Sequence, residues 1–170
     1  MALGRWVAWG IGVAVAATGA AAAADYVTHR SGRDEVPARD TQAQGNAVFE
    51  LSEDGASMSY KVIASNIRNV TAAHIHMAAV GVNGSIVVTL FTGGPPGGGR
   101  TDGILAEGVI TEASLSGPLA GMPFNALLAE MDGGNTYVNI HTNDGVDPAA
   151  TGPGDFPGGE IRGQVRPSED

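Results

Sequence analysis

The sequence predicts an all-β domain, built as an antiparallel β-sandwich or barrel with one short helix. The chain contains about seven short runs in which apolar and polar side chains alternate. Clusters of glycine, proline, asparagine and aspartate separate these runs, and a single segment has the spacing of a helix. Many short strands joined by turns are typical of sandwiches and barrels.

The strands are predicted from period-two alternation. Residues 46–51 place three apolar side chains on one face, and residues 57–64 repeat the pattern after a turn, so these two runs should form a hairpin. The Gly- and Pro-rich residues 92–103 lack the ending of a phosphate-binding loop, and we expect a surface connection there. Further strands are expected at residues 72–77, 85–91, 104–111, 137–142 and 160–166.

The helix is expected at residues 123–131. Pro123 suits the first turn of a helix, and two glycines at 133–134 would end it. One side of this helix is apolar, and we expect that side to pack on the core. The residues of this stripe are Leu127, Leu128 and Met131.

Residues 1–24 have the layout of a secretory signal peptide. Arg5 precedes an apolar run over residues 6–17, and a group of alanines then offers a small-residue cleavage site. A retained membrane anchor is the alternative, although the run is short for a full span. Cleavage predicts an exported protein, in the periplasm, at the cell surface or outside the cell. It would leave a flexible tail over residues 25–34 and one β domain over residues 35–166.

Composition excludes several classes of function. The 146 residues after the leader carry 8 Lys and Arg against 18 Asp and Glu, a net charge of −10. Such an acidic surface repels phosphate backbones, so we expect no nucleic-acid partner. The chain has no cysteine, which rules out disulfides and thiolate metal sites. No stable membrane span is expected after cleavage, and the sequence identifies no protein partner.

Three of the four histidines form the strongest candidate site. In an extended strand His74 and His76 point to the same face, with Cα atoms about 6.5–7 Å apart. His141 lies in a second predicted strand, and three neutral imidazoles suit copper or zinc. We therefore predict a metal site made of these three residues. The alternative is that they only form hydrogen bonds on a half-buried polar face. The fourth, His29, is expected to be exposed to solvent in the tail.

Four further side chains are candidates for supporting the site. Tyr137 and Asn139 share a strand face with His141, so Asn139 could orient a histidine ring or fix the register of the strands. Glu160 and Arg162 share a face of the last predicted strand. Arg162 could attract an anion or pair with Glu160, and we expect the ion pair.

Several segments match one family pattern in the same order along the chain. They are Glu35-Val36-Pro37, Tyr60, Ala73-His74-Ile75-His76, Asn83-Gly84, Val87-Val88 with Leu90, Tyr137-Val138-Asn139-Ile140-His141-Thr142 and Pro157-Gly158-Gly159-Glu160-Ile161-Arg162-Gly163-Gln164. Together they resemble the CHRD domain, named for chordin and also found in exported microbial proteins. The resemblance implies an extracytoplasmic β-rich domain with no settled biochemical activity.

The chain departs from the CHRD pattern in two places. Ala38-Arg39 stands where the family often has another proline. Residues 143–156 form a long connection where the family tends to have a short turn, and this connection could lie as a lid beside His141.

A weaker resemblance is to copper–zinc superoxide dismutase, an exported β-sandwich of similar size. No histidine lies between His76 and His141, so the residues that would bridge to zinc are missing, as is the disulfide. The resemblance therefore implies a mononuclear site rather than dismutase activity. By order and spacing, the residues similar to those around its copper are His74, His76, His141 and Arg162.

Three hypotheses follow for the function. The leading one is an exported, non-catalytic metal-binding module that holds copper or zinc on the three histidines. The second is an extracellular structural or ligand- and protein-binding domain without metal, and the third is a redox enzyme related to dismutases. Metal content separates the first from the second, and superoxide consumption separates the first from the third.

Overall fold

The predicted all-β class is confirmed, because a single antiparallel sheet curls into a nearly closed barrel. The computed structural model describes residues 25–169, so the expected signal peptide lies outside the described residues. Within that range no helix is long and apolar enough to cross a membrane. Helix α1 spans Asn125–Asp132. The strands are β1 Tyr26–Ser31, β2 Gln44–Leu51, β3 Ser57–Arg68, β4 Val70–Met77, β5 Ser85–Thr92, β6 Arg100–Thr111, β7 Thr136–Thr142, β8 Ile161–Gln164 and β9 Arg166–Pro167.

The order of strands across the sheet is β5-β4-β7-β8-β1-β2-β3-β6, with the short β9 paired to β1. β2 and β3 form the predicted hairpin, in which Phe49 lies opposite Tyr60. β4 and β7 carry the candidate histidines and are direct neighbours, with Ile75 opposite Val138. The topology therefore brings together two segments that are far apart in the sequence.

Tyr60 bridges the gap between the two edge strands of the sheet. Its hydroxyl donates to the carbonyl oxygen of Leu90 on β5 across 2.7 Å. Its ring lies against Gly108 of β6, where an added side chain would meet atoms of the ring at 2.8–3.0 Å. A glycine at this position therefore lets an aromatic side chain of β3 reach across β6 to β5.

The inside of the barrel is filled by alternate residues of the strands, which point inward by the period-two geometry of β-structure. These side chains form one continuous apolar cluster. Its completely buried members include Phe49, Met58, Val62, Ile75, Val138, Ile140 and Ile161.

Helix α1 packs against this cluster. Leu127 and Met131 are fully buried and Leu128 packs beside them, so the prediction that this stripe belongs to the core is confirmed. The helix is also tied to β1, because the hydroxyl of Tyr26 donates to Oδ1 of Asp132 across 2.6 Å.

The N-terminal segment differs from the expected flexible tail. Tyr26–Ser31 forms β1, which pairs with β2 along its whole length. Alternate residues Tyr26, Thr28 and Arg30 are buried. Because two of these three buried side chains are polar, the segment lacks the alternation of apolar and polar residues that predicts a strand. His29 lies on the outer side of β1 and is exposed, as expected.

Two strand boundaries also differ from the prediction. β6 begins at Arg100 rather than at residue 104, because its first residues pair with the end of β3. The last predicted strand is divided into β8 and β9 on either side of Val165. β8 begins at Ile161, so Glu160 precedes this strand rather than belonging to it.

Two connecting segments cover the outer face of β7 and β8. The outer segment, residues 32–43 between β1 and β2, is tied to β7 through the carboxylate of Glu35. The long loop, residues 143–160 between β7 and β8, is tied back to β7 because the N–H of Phe156 donates to Oγ1 of Thr142 across 2.9 Å. Polar side chains of β7 and β8 are therefore buried in a second layer, outside the apolar core.

Candidate metal centre

The three histidines lie together on the outer face of β4 and β7. Ile75, between His74 and His76, points into the core and is fully buried. Ala72 lies opposite His141 in the ladder, so His141 sits diagonally from His74. Ring centroids are 5.0 Å apart for His74 and His141, 5.7 Å for His74 and His76, and 5.8 Å for His76 and His141. The predicted cluster is therefore present.

The nitrogen atoms of this cluster are close enough to share one ion. Each ring offers one nitrogen, and these atoms all lie within 4.8 Å of one another. Bonds of about 2 Å to a single ion bring ligand nitrogens within about 4 Å of each other, so a small rotation of the rings completes the set. Three ligands leave a further coordination position open.

Backbone carbonyl groups orient two of the rings. Nδ1 of His76 donates to the carbonyl oxygen of Gly84 across 3.0 Å, and Nδ1 of His141 donates to that of Pro157 across 2.9 Å. Nε2 of each ring is then the nitrogen with a free lone pair, and both Nε2 atoms are buried without a hydrogen-bond partner. Nδ1 of His74 is also buried without a partner. Carbonyl groups that fix the ring in this way are usual around metal-binding histidines.

Burial keeps the three imidazoles neutral. It lowers the pKa of His74 to about 4, and repulsion from protonated His141 and His76 adds to this effect. Burial also lowers the pKa of His76 and of His141, although the carbonyl contacts of these two rings act in the opposite direction. Neutral imidazole is the form that binds metal, so at neutral pH no proton has to be removed.

Tyr137 supports His76 from the neighbouring strand. The two rings are stacked, with centroids 4.9 Å apart and planes inclined by 11°. The guanidinium carbon of Arg162 lies 3.4 Å from the centroid of the Tyr137 ring. Because β7 lies between β4 and β8, Tyr137 lies between His76 and Arg162. Its hydroxyl also accepts the N–H of Gly84 across 3.1 Å.

Arg162 holds the β4–β5 turn that carries Gly84. Its Nη1 donates to Oδ1 of Asn83 across 3.1 Å, and its Nη2 donates to the carbonyl oxygens of Val82 and Ala79 across 2.9 and 3.3 Å. The side chain is only 2% exposed. Arg162 therefore supports the histidines through the turn and through Tyr137, and its positive charge also helps to lower the pKa of His76.

The expected ion pair between Arg162 and Glu160 is wrong. Glu160 is fully buried, and its carboxylate accepts hydrogen bonds from Oγ1 of Thr41 at 2.6 Å, Oγ1 of Thr142 at 2.7 Å and the N–H of Gly154 at 2.8 Å. Since β8 begins after Glu160, the alternation of that strand does not place the two side chains together. Glu160 instead anchors the long loop to the outer segment and to β7.

Asn139 makes a different contact from the two considered for it. Its Nδ2 donates to both oxygens of Glu35, at 3.1 and 3.3 Å, and it forms no hydrogen bond to any of the three histidines. Glu35 is 6% exposed, and burial raises its pKa to about 7, although Arg162 and Arg39 act in the opposite direction. Asn139 therefore joins β7 to the outer segment.

Sequence reasoning missed the residues that orient the rings. Gly84 and Pro157 act through backbone carbonyl groups, which leave no side-chain signature in a sequence. Both nevertheless lie in segments that match the family pattern, which was the available signal. Pro157, which directly follows residues 143–156, lies beside His141, while the role of residues 143–156 as a lid stays a prediction.

The fold and the site define a small antiparallel β-barrel domain with a histidine cluster on its outer wall. The chain belongs to the CHRD domain family, whose family model matches residues 26–165. This is a domain of the extracellular type. No curated protein and no solved structure gives a significant match. The similarity to copper–zinc superoxide dismutase stays weak beside the family match.

Proposed function

We propose that this CHRD protein binds a single transition-metal ion through His74, His76 and His141, as a non-catalytic module. The observation that carries the proposal is that each of the three rings has a buried nitrogen without a hydrogen-bond partner. Leaving such atoms unpaired costs free energy, which an ion would recover. Copper(II) is the first ion to test, since it binds nitrogen ligands most tightly among the divalent first-row metals, and zinc is the second.

The surroundings of Arg162 favour a binding role over a redox role. Both terminal nitrogens of Arg162 donate to groups of the protein, and Tyr137 lies between its guanidinium and His76. The terminal nitrogens of this arginine are therefore already engaged in hydrogen bonds within the protein, which leaves little capacity to donate to an anion at the ion. A structural role without metal has less support, because it leaves one buried nitrogen of each histidine ring without a hydrogen-bond partner.

Metal analysis tests the proposal directly. The purified protein is loaded with copper(II) or zinc, freed of excess metal and analysed for metal per chain. We expect one ion per chain for the wild type and for His29→Ala, a matched control because His29 is exposed and lies outside the cluster. The double variant His74→Ala/His76→Ala should lose the ion. Equal metal in the double variant and the wild type would overturn the proposal.

A second assay separates the binding module from a redox enzyme. The copper-loaded protein is compared with buffer for superoxide consumption. We expect no rate above that of the buffer. A clear rate that disappears with His74→Ala/His76→Ala would instead make the protein a dismutase-like enzyme.

We also propose that the protein is exported and processed after Ala24. Asp25, the next residue, precedes β1 and is already tied to β2, since its N–H donates to the carbonyl oxygen of Phe49 across 2.8 Å. Cleavage at this point would remove the leader without loss of any residue of β1. N-terminal sequencing of the protein recovered outside the cytoplasm should begin at Asp25, and recovery of the intact leader there would favour a retained anchor.

A further inference from the structure

Besides the histidine cluster, the buried guanidinium group of Arg30 has N–H groups without hydrogen-bond acceptors in the range that the structure describes. Arg30 lies on β1 and is only 2% exposed. Its Nη2 donates to the carbonyl oxygens of Asn46 and Ile63. Its Nε and Nη1 are buried without an acceptor within the described part of the chain. Three N–H bonds of one guanidinium are therefore left unpaired.

Arg162, in the same domain, is a buried arginine whose terminal nitrogens have hydrogen-bond acceptors. It is equally buried, but it has three acceptors for its terminal nitrogens and the face of Tyr137 beside it. Arg30 has no aromatic face, and among residues 25–169 no carboxylate lies within ion-pair distance of it. A buried cation without a counter-ion is strongly disfavoured. The described part of the chain therefore leaves both the charge and the hydrogen-bond donors of Arg30 without sufficient partners.

A cavity of about 360 Å³ lies beside Arg30, and Arg30 is one of its lining residues. Gly45 leaves room for the guanidinium, because an added side chain there would meet Nη2 and Nε of Arg30 at 3.0 and 3.1 Å. The acidic residue of the lining, Asp34, accepts a hydrogen bond from Oγ of Ser31 across 2.8 Å. The other polar residues that line the cavity are His29, Gln44, Asn46 and Ser65.

We propose that this cavity binds a small oxyanion, a carboxylate, sulfate or phosphate, with Arg30 as its charge partner. Nε and Nη1 are shielded from solvent in the structure, so the guanidinium would turn toward the cavity and donate its unpaired N–H groups to the oxygens of the anion. The polar lining would hold the remaining oxygens. Since the protein after its leader is strongly acidic, such an anion depends on this local positive charge.

The proposed anion site is independent of the histidine cluster. Arg30 lies on β1, whereas the histidines lie on β4 and β7, and β8 separates β1 from β7 in the sheet. None of the residues around the cavity belongs to the histidine cluster. Failure of one proposal therefore leaves the other unaffected.

Anion titration of the purified protein tests the proposal. Acetate, sulfate and phosphate are each added at constant ionic strength against chloride, and the signals of the arginine Nε–H groups are followed by NMR. We expect a saturable shift of the Arg30 signal, while the other arginine signals respond little. The anion that saturates at the lowest concentration identifies the preferred class.

Two variants complete the test. Arg30→Met should weaken anion binding by at least about tenfold. Arg33→Met, in which an exposed neighbouring arginine is lost, should bind as the wild type does. Equal binding by Arg30→Met and the wild type would overturn the proposal. If Arg30→Met does not fold, the wild-type titration decides, because the absence of a saturable Arg30 shift rejects the site.

Discussion

Nδ1 of His141 donates to the carbonyl oxygen of Pro157 across 2.9 Å. Pro157 lies near the end of the long loop, so a segment outside the two histidine strands sets the orientation of one ring. The loop is held in place by the carboxylate of Glu160, which is fully buried. The geometry of His141 therefore depends on a carboxylate that does not touch it.

We predict that Glu160→Gln loosens the long loop and weakens metal binding. The amide group of glutamine would place N–H donors where the carboxylate accepts from Thr41, Thr142 and Gly154. Loss of these contacts should lower the free energy of unfolding by about 1–3 kcal/mol. Metal affinity should fall by about 10–100-fold, as for other groups that orient a ligand. Urea unfolding and metal titration measure the two effects.

A double-mutant cycle shows whether Glu160 acts through His141. In the His141→Ala background, Glu160→Gln should cause little further loss of metal affinity, because the ring that the loop orients is already absent. Glu112→Gln, at an exposed acidic residue, serves as the control and should change neither quantity. Full additivity of the Glu160 and His141 effects would show that the carboxylate does not act through this ring.

We predict that Gly84→Ala disrupts the support of His76. An added Cβ at Gly84 would overlap the carbonyl oxygen of Met77, so the β4–β5 turn must move. The movement would break the contacts of Gly84 with Nδ1 of His76 and with the hydroxyl of Tyr137. The free energy of unfolding should fall by about 2 kcal/mol or more, and metal affinity should fall with it.

Gly94→Ala is the matched control for this substitution. An added Cβ at Gly94 meets nothing within 4 Å, so stability should stay within about 0.5 kcal/mol of the wild type. Thermal unfolding and metal titration of the two variants give the comparison. If Gly84→Ala binds metal as tightly as Gly94→Ala, the turn does not position His76.

The all-β class, the hairpin, the helix and the histidine cluster were predictable because their signals are local. Alternation fixes the direction of His74 and His76 within one strand, and the pairing of two such strands brings in His141. β1 was not predictable in this way, because Thr28 and Arg30 are polar although they face inward, so no apolar alternation marks the strand. The partners of Glu160 and Arg162 depend on where β8 begins, and one residue of difference at a strand end reverses the direction of a side chain.

We predict that Tyr60→Phe destabilises the seam of the barrel, the gap between the edge strands β5 and β6 that Tyr60 bridges. The variant keeps the ring against Gly108 but removes the hydrogen bond from the hydroxyl to the carbonyl oxygen of Leu90. The free energy of unfolding should fall by about 1–2 kcal/mol, without a change in the slope of the urea transition. Ser59→Ala, at the exposed neighbouring position of β3, should have no such effect. Equal stability of the two variants would mean that this bond does not hold the seam.

We predict that Glu35 gives the stability of the metal-free protein a pH dependence that Glu35→Gln removes. Burial raises the pKa of Glu35 to about 7 in the folded protein, above its ordinary value of 4.5. Between these two values the folded state binds more protons than the unfolded state, so the contribution of Glu35 to stability decreases as the pH rises. This contribution is fully present below pH 4.5 and is lost as the pH passes through about 7.

Comparison of the two proteins isolates this effect. Glutamine is neutral at every pH and keeps an oxygen that can accept from Nδ2 of Asn139. The difference in the free energy of unfolding, wild type minus Glu35→Gln, should therefore fall by up to about 3 kcal/mol between pH 4.5 and pH 8. Titration of the histidines is common to both proteins and cancels in this difference. Glu53→Gln, in the exposed β2–β3 turn, should give a curve parallel to the wild type. Should Glu35→Gln also run parallel, the carboxylate of Glu35 would have to titrate alike in the folded and the unfolded chain, contrary to its burial between β7 and the outer segment.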